Sequence, residues 1–367
     1  MKKWSLLLLF ILWGGINMFE NAAGLPSQVN LYAVTNVSVI PMDREQILSN
    51  QSVVITNDAI SEIGPSGEIQ IPAGAKIIDG SGKFLLPGLI DMHTHICDAN
   101  DLPLLLAQGV TTIRNMGDLP GWVKFFFGYA DILKLRRKVL NGEMLGPDIY
   151  TAGPILDGAP PVSPFNSVVI NAEEAEQAVA RQKKRGYDLI KIYDGLSPDT
   201  LNGIIKAAKK YQMPVAGHVP KQIPLNQVLD TGLISIEHLT GYLDNDRAAF
   251  IIPEDQLDQY AEKTKVSGVW NCPTLVIWDH LVPRKEFVKI TNLPQMQYVS
   301  WRVEWLWKQT LKQVFKVNYN TADYPRQMME LSQKMTAALH HAGFLGRIPI
   351  LWGFSPAGRP KGSWNFW

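Results

Sequence analysis

Five residues of this sequence are metal-binding types that stand in or at the ends of apolar, strand-like segments. In Asp91-Met92-His93-Thr94-His95, two histidines two positions apart on an extended chain face the same side, so both imidazoles can reach one ion. Taken alone, this pair fits satisfied core or surface histidines at least as well. Lys191 lies inside Asp188-Leu189-Ile190-Lys191-Ile192-Tyr193, where an unpaired ammonium would be costly to bury and needs a reason. Pro214-Val215-Ala216-Gly217-His218 and Ile234-Ser235-Ile236-Glu237-His238 both run apolar and end in histidine, at a spacing that suits one strand–helix unit. Together His93, His95, Lys191, His218 and His238 read as a metal site.

Such a site needs strands that deliver their ends to one place. After Pro87, short apolar runs alternate with helix-period segments, the pattern of parallel βα units. The candidate strands are Leu86–Met92, Val110–Asn115, Asp148–Ala152, Leu189–Tyr193, Pro214–His218, Ile234–His238, Val269–Thr274 and Ile348–Leu351. Eight such strands fit a closed (β/α)8 TIM-like barrel, with an eight-stranded doubly wound sheet as the alternative. In a barrel the ligands would gather at the C-terminal strand ends, where barrel active sites lie. From Asn30 to about Leu86, short β-branched runs (Val34–Ile40, Gln51–Thr56, Ala59–Ile63, Ala75–Ile78) between Gly, Pro, Asn and Asp turns predict a small antiparallel β-sandwich appendage. A segment at about 279–342 reads as a helical insertion. Its Tyr298, Trp301, Trp305 and Trp307 form one apolar cluster, either a lid or a face packed on the barrel flank.

The blocks Leu86-Pro87-Gly88-Leu89-Ile90-Asp91-Met92-His93-Thr94-His95, Gly109-Val110-Thr111-Thr112-Ile113-Arg114, Ile190-Lys191-Ile192-Tyr193, Gly217-His218 and Glu237-His238 resemble the amidohydrolase superfamily, in its imidazolonepropionase-like and exported dipeptidase-like members with a carboxylated lysine. The resemblance runs from about Asn30 to Gly343. It implies two divalent metal ions, with His93 and His95 on the first, His218 and His238 on the second, and a carbamate on Lys191 bridging them. It further implies that a hydroxide shared by the ions hydrolyses the C–N bond of an amide, a cyclic amide or a dipeptide. Imidazole and oxygen ligands suit zinc. The same pattern asks for an aspartate at the end of strand eight that ligates the first metal and shuttles a proton. Here Ile348-Pro349-Ile350-Leu351-Trp352-Gly353-Phe354-Ser355 carries Phe354 or Ser355 at that place.

The tail from Gly353 to Trp367 has turn composition without periodicity, so the expectation is a frameshift between about Gly343 and Gly353, with a genuine short paralogue as the alternative. On this reading the barrel spans 87–352, is C-terminally truncated, and ends in an irregular tail at 353–367. Loss of an acid/base group costs roughly 10²–10⁴-fold in rate, so the reading is a hydrolase whose inactivity in this form is left open. The alternative function is a catalytically dead, exported barrel that binds metal or a small ligand. Arg114, for a substrate carboxylate, and Tyr242, for carbonyl polarisation, are candidate substrate contacts; the favoured reading of Arg114 is pairing with Asp118 or a neighbour.

Lys2 and Lys3, the uncharged apolar stretch Trp4 to Phe19, and Ala22-Ala23-Gly24 predict a signal peptide over 1–24 and an exported, periplasmic or secreted protein. An uncleaved anchor is the alternative. The β appendage would then occupy 25–86. With 367 residues, 46% hydrophobic and 19% charged, the chain has material for a large core. Thirty-five basic against 34 acidic residues leave a formal charge of +1, so no field steers it to nucleic acid or anionic lipid. The expected partner is a small-molecule substrate, with no nucleic acid, no stable membrane partner after signal cleavage, and oligomerisation open. Cys97 and Cys272 are expected to be free buried thiols. No Gly-x-Ser-x-Gly elbow, phosphate loop or Gly-x-Gly-x-x-Gly turn is present, which sets aside serine hydrolases and nucleotide-binding enzymes.

Overall fold

The computed structural model describes residues 30–242, 254–276, 294–305 and 323–343. The expected signal peptide, eighth strand, irregular tail and Trp307 lie outside the described residues, as does much of the insertion. The chain divides into two compact units, one holding Leu48–Leu85 and the strand ending at Val39, the other holding Ile40–Ile47 and the chain from Leu86 onward.

The first unit is a single five-stranded sheet of β1 (Leu31–Val39), β2 (Leu48–Thr56), β3 (Ala59–Pro65), β4 (Lys76–Asp79) and β5 (Phe84–Leu85), with order β3-β2-β1-β4 and β5 also on β1. β1, β2 and β3 pair antiparallel, β2 and β3 through the two-residue turn Asn57-Asp58 and β1 and β2 across Ile40–Ile47. β4 and β5 instead lie parallel to β1, which corrects the expectation of an all-antiparallel unit. Alternation specifies which face is buried but not the direction of the partner strand. Val37, Val39 and Val53 form its core.

The second unit begins with β6 (Leu89–Thr94), β7 (Val110–Asn115) and β8 (Asp148–Thr151), which pair in parallel in that order. A six-stranded parallel sheet follows, of β9 (Leu156–Asp157), β10 (Ser167–Val168), β11 (Ile190–Ile192), β12 (Val215–Gly217), β13 (Ser235–Glu237) and β14 (Trp270–Cys272), in the order β10-β9-β11-β12-β13-β14. A bridge between Ala152 and Leu189 joins the two sheets, so seven of the expected strands stand in sequence order. β9 and β10 were not legible as strands; two residues each are too few to show a period.

Helices α1 (Asp101–Ala107), α2 (Gly121–Phe127), α3 (Ile132–Leu140), α4 (Ala172–Arg185), α5 (Pro198–Tyr211), α6 (Leu225–Leu229) and α7 (Glu254–Ser267) lie between the strands or before β14, and α8 (Asp323–His341) packs on α7. Their ends are set by local chemistry. Asn171 and Ser197 cap α4 and α5 by accepting from the backbone N–H of Glu174 and Thr200, Pro198 opens α5, and Gly186 closes α4 in the left-handed conformation. Ile190, Ile192, Val215 and Ile236 point into one large apolar cluster shared with the helices, through residues such as Val179, Ile204 and Leu257. The alternate positions Leu189 and Ala216 belong to a second cluster with Met116 and Ala152. Since side chains alternate along a strand, Lys191 and His218 follow Leu189 and Ala216 onto this second face, away from the helices.

Around the expected insertion, Pro294–Tyr298 is a 3₁₀ turn. Tyr298, Trp301 and Trp305 are 58%, 69% and 47% exposed, so these three are not the packed core face expected of an aromatic stripe. Among the described residues no helix is long and apolar enough to cross a membrane.

Candidate metal centre

β6 carries His93 and delivers His95 just beyond its end. Its pairing with β7 is irregular between Asp91 and Thr94, and the Asp91 carboxylate accepts from the His93 backbone N–H at 2.9 Å. The two rings come to 5.3 Å between centroids, as their spacing predicts. Asn115, to which sequence alone assigns no role, holds the chain just past His95: it accepts from Ile96 N–H and donates to Gly117 O and Thr151 Oγ1.

His218 follows β12 and His238 follows β13. Strand parity alone would send His238 toward the helices with Ile236. Positive φ at His238 (59°) and Leu239 (55°) re-aims the chain, and the His238 ring comes 4.4 Å from His93 and 5.1 Å from His218. Non-glycine residues in this region store strain that the surroundings must hold, and such strain gathers at functional sites. His93, His95, His218 and His238 are therefore brought together.

Lys191 is 1% exposed in the middle of β11, and its Nζ has no hydrogen-bond partner among the described residues. Burial pulls its pKa down to about 8, a shift that Glu237 opposes and Arg114 reinforces. Desolvation also holds His93, His218 and His238 below the ordinary imidazole value, with neighbouring cations adding to the effect. His95, by contrast, is exposed. Neutral imidazoles are the form that binds metal.

Three of these histidines have Nδ1 occupied. His93 Nδ1 lies 2.6 Å from Glu237 Oε2, His218 Nδ1 lies 2.6 Å from Asp194 Oδ1, and His238 Nδ1 lies 2.5 Å from Thr274 Oγ1. Thr274 gives its own hydroxyl hydrogen to Pro273 O, so toward His238 it can only accept. Each ring thus donates from Nδ1 and keeps Nε2 as its free ligand atom. His218 Nε2 is buried without a hydrogen-bond partner among the described residues. Two orphaned buried nitrogens beside three oriented imidazoles fit a metal-binding site, because oxygen-backed histidines are the usual ligand arrangement.

A second grouping brings one ligand atom each of His93, Glu237 and Cys272 within 4.8 Å of one another. Its own chemistry disfavours an ion there. Glu237 already accepts from Arg114, Ser235 and His93, a guanidinium stands beside it, and burial pushes the Cys272 thiol far up. Both cysteines are free; Cys272 is buried as expected and Cys97 is half-buried.

The two candidate substrate contacts are placed elsewhere. Arg114, 3% exposed, donates to Met92 O, Ser235 Oγ and Glu237 Oε1 from its three nitrogens, so it braces Glu237 rather than facing a substrate carboxylate. Asp118, its expected partner, pairs with Lys124 and Tyr187. Tyr242 is 1% exposed; its hydroxyl donates to Thr264 Oγ1, whose hydrogen goes to Tyr260 O, and accepts from Asn271 Nδ2. That phenol is a core group rather than a polariser of carbonyls. Tyr242→Phe should cost about 1–3 kcal/mol through the orphaned partners, seen in denaturant unfolding, while zinc uptake stays unchanged.

Glu237, Asp194, Thr274, Asn115 and Tyr193, which stacks on His218 at 4.1 Å, are the members that sequence reasoning did not assign. Gly217 is needed where β12 approaches β11: its φ is 153°, and a Cβ there would stand 2.3 Å from Ile192 O. Gly217→Ala should cost about 1–3 kcal/mol by forcing that strain on the strands, read as a lower melting temperature, and should weaken zinc binding by shifting Lys191 against His218.

The sequence model of the Amidohydrolase family matches residues 84–276, more than half of the chain. An adenine deaminase of Staphylothermus marinus is 26% identical over 247 residues, 62% of this chain and 38% of that protein. The chain thus spans about two fifths of the length of this curated relative. Among solved structures, bottromycin amidohydrolase is 19% identical at a TM-score of 0.61, covering 86% of this chain and 66% of its own. An Xaa-Pro dipeptidase with methionine in its active site is 20% identical at 0.55, covering 86% and 77%. These structural likenesses show a shared fold. With its family match running across β6 to β14 and through all five clustered ligand candidates, the chain belongs to the amidohydrolase family.

Proposed function

We propose that this protein is a metal-dependent hydrolase of C–N bonds in small molecules, of the amide, cyclic amide or dipeptide type. The observation that carries the reading is the convergence of His93, His95, Lys191, His218 and His238, with Lys191 Nζ and His218 Nε2 buried and unpartnered. His93 and His95 would hold one divalent ion, and His218 and His238 a second. Lys191 lies in β11, whose neighbour β12 leads to His218. Carboxylation of its amine by CO₂ would form an N–C bond, release two protons from the ammonium form, and turn a costly buried cation into an anion able to ligate metal. Zinc suits imidazole and oxygen ligands. Such ions supply a hydroxide nucleophile at neutral pH and polarise a substrate oxygen.

The chain's own residues orient and exclude. Glu237, Asp194 and Thr274 set the direction of three imidazoles, and Tyr193 covers one face of His218. The same reading closes the seven parallel strands into a (β/α)8 barrel. A second reading, metal or ligand binding without turnover, is favoured by Phe354 and Ser355 standing where an acid is expected.

Release of free amine or ammonia from a panel of dipeptides, N-acyl amino acids, lactams and aminopurines, assayed with zinc-loaded protein, tests the two. Zinc-dependent turnover of any member supports hydrolysis. Zinc binding without turnover supports the second reading.

A further inference from the structure

We infer that Glu237 is a positioning residue that fixes which nitrogen of His93 is free to bind, and that Arg114 is the brace that makes it able to do so. The functional weight of this inference rests on the metal reading above; its structural part does not.

Glu237 is fully buried, and both of its oxygens are committed. Oε1 accepts from Arg114 Nη2 at 2.7 Å and from Ser235 Oγ at 2.6 Å, and Oε2 faces His93 Nδ1 at 2.6 Å. The Arg114 guanidinium and the Ser235 hydroxyl both donate to it, which holds it as a carboxylate. An ionised carboxylate only accepts, so His93 must carry its hydrogen on Nδ1 and present the lone pair of Nε2. A buried carboxylate without a counter-charge would cost several kcal/mol, and Arg114 supplies the charge. Arg114 also donates from Nε to Met92 O at 2.7 Å, the backbone just before His93. The guanidinium therefore locks the strand bearing His93 to the side chain that orients it, across 144 positions of sequence. Adjacent residues of β13 and its end thereby serve different ligands. His238 offers its own ring, and Glu237 directs the ring of His93.

Glu237→Gln separates this role from simple packing, because the amide has the same shape but one acceptor and one donor. Two donors, Arg114 and Ser235, face one side of the site and a single histidine faces the other. The amide oxygen should turn to the pair of donors, leaving its NH₂ against His93 Nδ1. His93 must then accept at Nδ1 and carry its hydrogen on Nε2, the atom a metal needs. The readout is the two-bond ¹⁵N–¹H spectrum of the histidine rings in the metal-free full chain, with His93 assigned by the signal lost in His93→Asn. The expected result is Nδ1–H in the natural protein and Nε2–H in the variant. Zinc titration should then lose roughly 10–100-fold in affinity at one equivalent only.

An unchanged tautomer in a folded Glu237→Gln protein overturns the inference. Nδ1–H in the natural protein together with no zinc uptake keeps the orienting role and overturns the metal reading. Should Glu237→Gln fail to fold, Arg114→Lys keeps the charge and loses the fork. It is expected to weaken the same zinc equivalent, and undiminished affinity there overturns the brace.

Discussion

Lys191→Met is expected to abolish two-ion binding while leaving the metal-free protein at least as stable as the original. The two halves of that result come from one fact. Lys191 is 1% exposed among apolar neighbours on β11, and its Nζ finds no partner among the described residues. An unsatisfied buried polar group costs about 1–3 kcal/mol, and methionine keeps the length and removes the amine. Thermal melting of chelated protein should therefore show no loss, or a gain. Loss of an indirect partner of a metal ligand costs about 10–100-fold in affinity or activity. Loss of a ligand shared by both ions should exceed the upper end of that range, taking metal-dependent turnover below about one hundredth. A lysine kept only for packing would give the opposite pattern, a lower melting temperature with metal binding intact.

The second large effect is expected from removing metal. The histidines and Lys191 are a poor core by themselves, with four imidazole rings packed together, a lysine whose Nζ has no partner among the described residues, and one buried carboxylate paired to His93 and Arg114. A ligand that binds only the folded state stabilises by about 4.1 kcal/mol at a thousand times its Kd. At roughly 2–4 °C per kcal/mol for a unit of this size, chelation should lower the melting temperature by on the order of 10 °C and bring turnover to background. Returning zinc should restore both. Melting unchanged by chelator and by zinc would speak against any tight site.

The ligand candidates were legible because they obey local rules. His93 and His95 share a face by the period of two, Lys191 is conspicuous in an apolar strand, and His218 and His238 end apolar runs. Strand positions followed from the same patterns, with β11, β12, β13 and β14 falling inside the runs read as strands. What escaped was non-local. Glu237 was visible only as the residue before a histidine, since nothing within β13 says that its partner is His93 on another sheet. Arg114 was paired in expectation with Asp118 or a neighbour, whereas the fold gives it to Glu237 at a separation of 123. His238 reaches its neighbours only through backbone conformations that no propensity predicts for His and Leu. Tyr242 carried a polar handle whose partners, Thr264 and Asn271, lie on later elements. The direction of β4 against β1 was likewise invisible, because parallel and antiparallel strands alternate alike.

The most direct test of the central claim is elemental analysis of the full chain, purified without chelator and then equilibrated with zinc and desalted. Two equivalents of zinc per chain are predicted, falling to one or none in Lys191→Met. Far less than two equivalents in the natural protein would contradict the two-ion site.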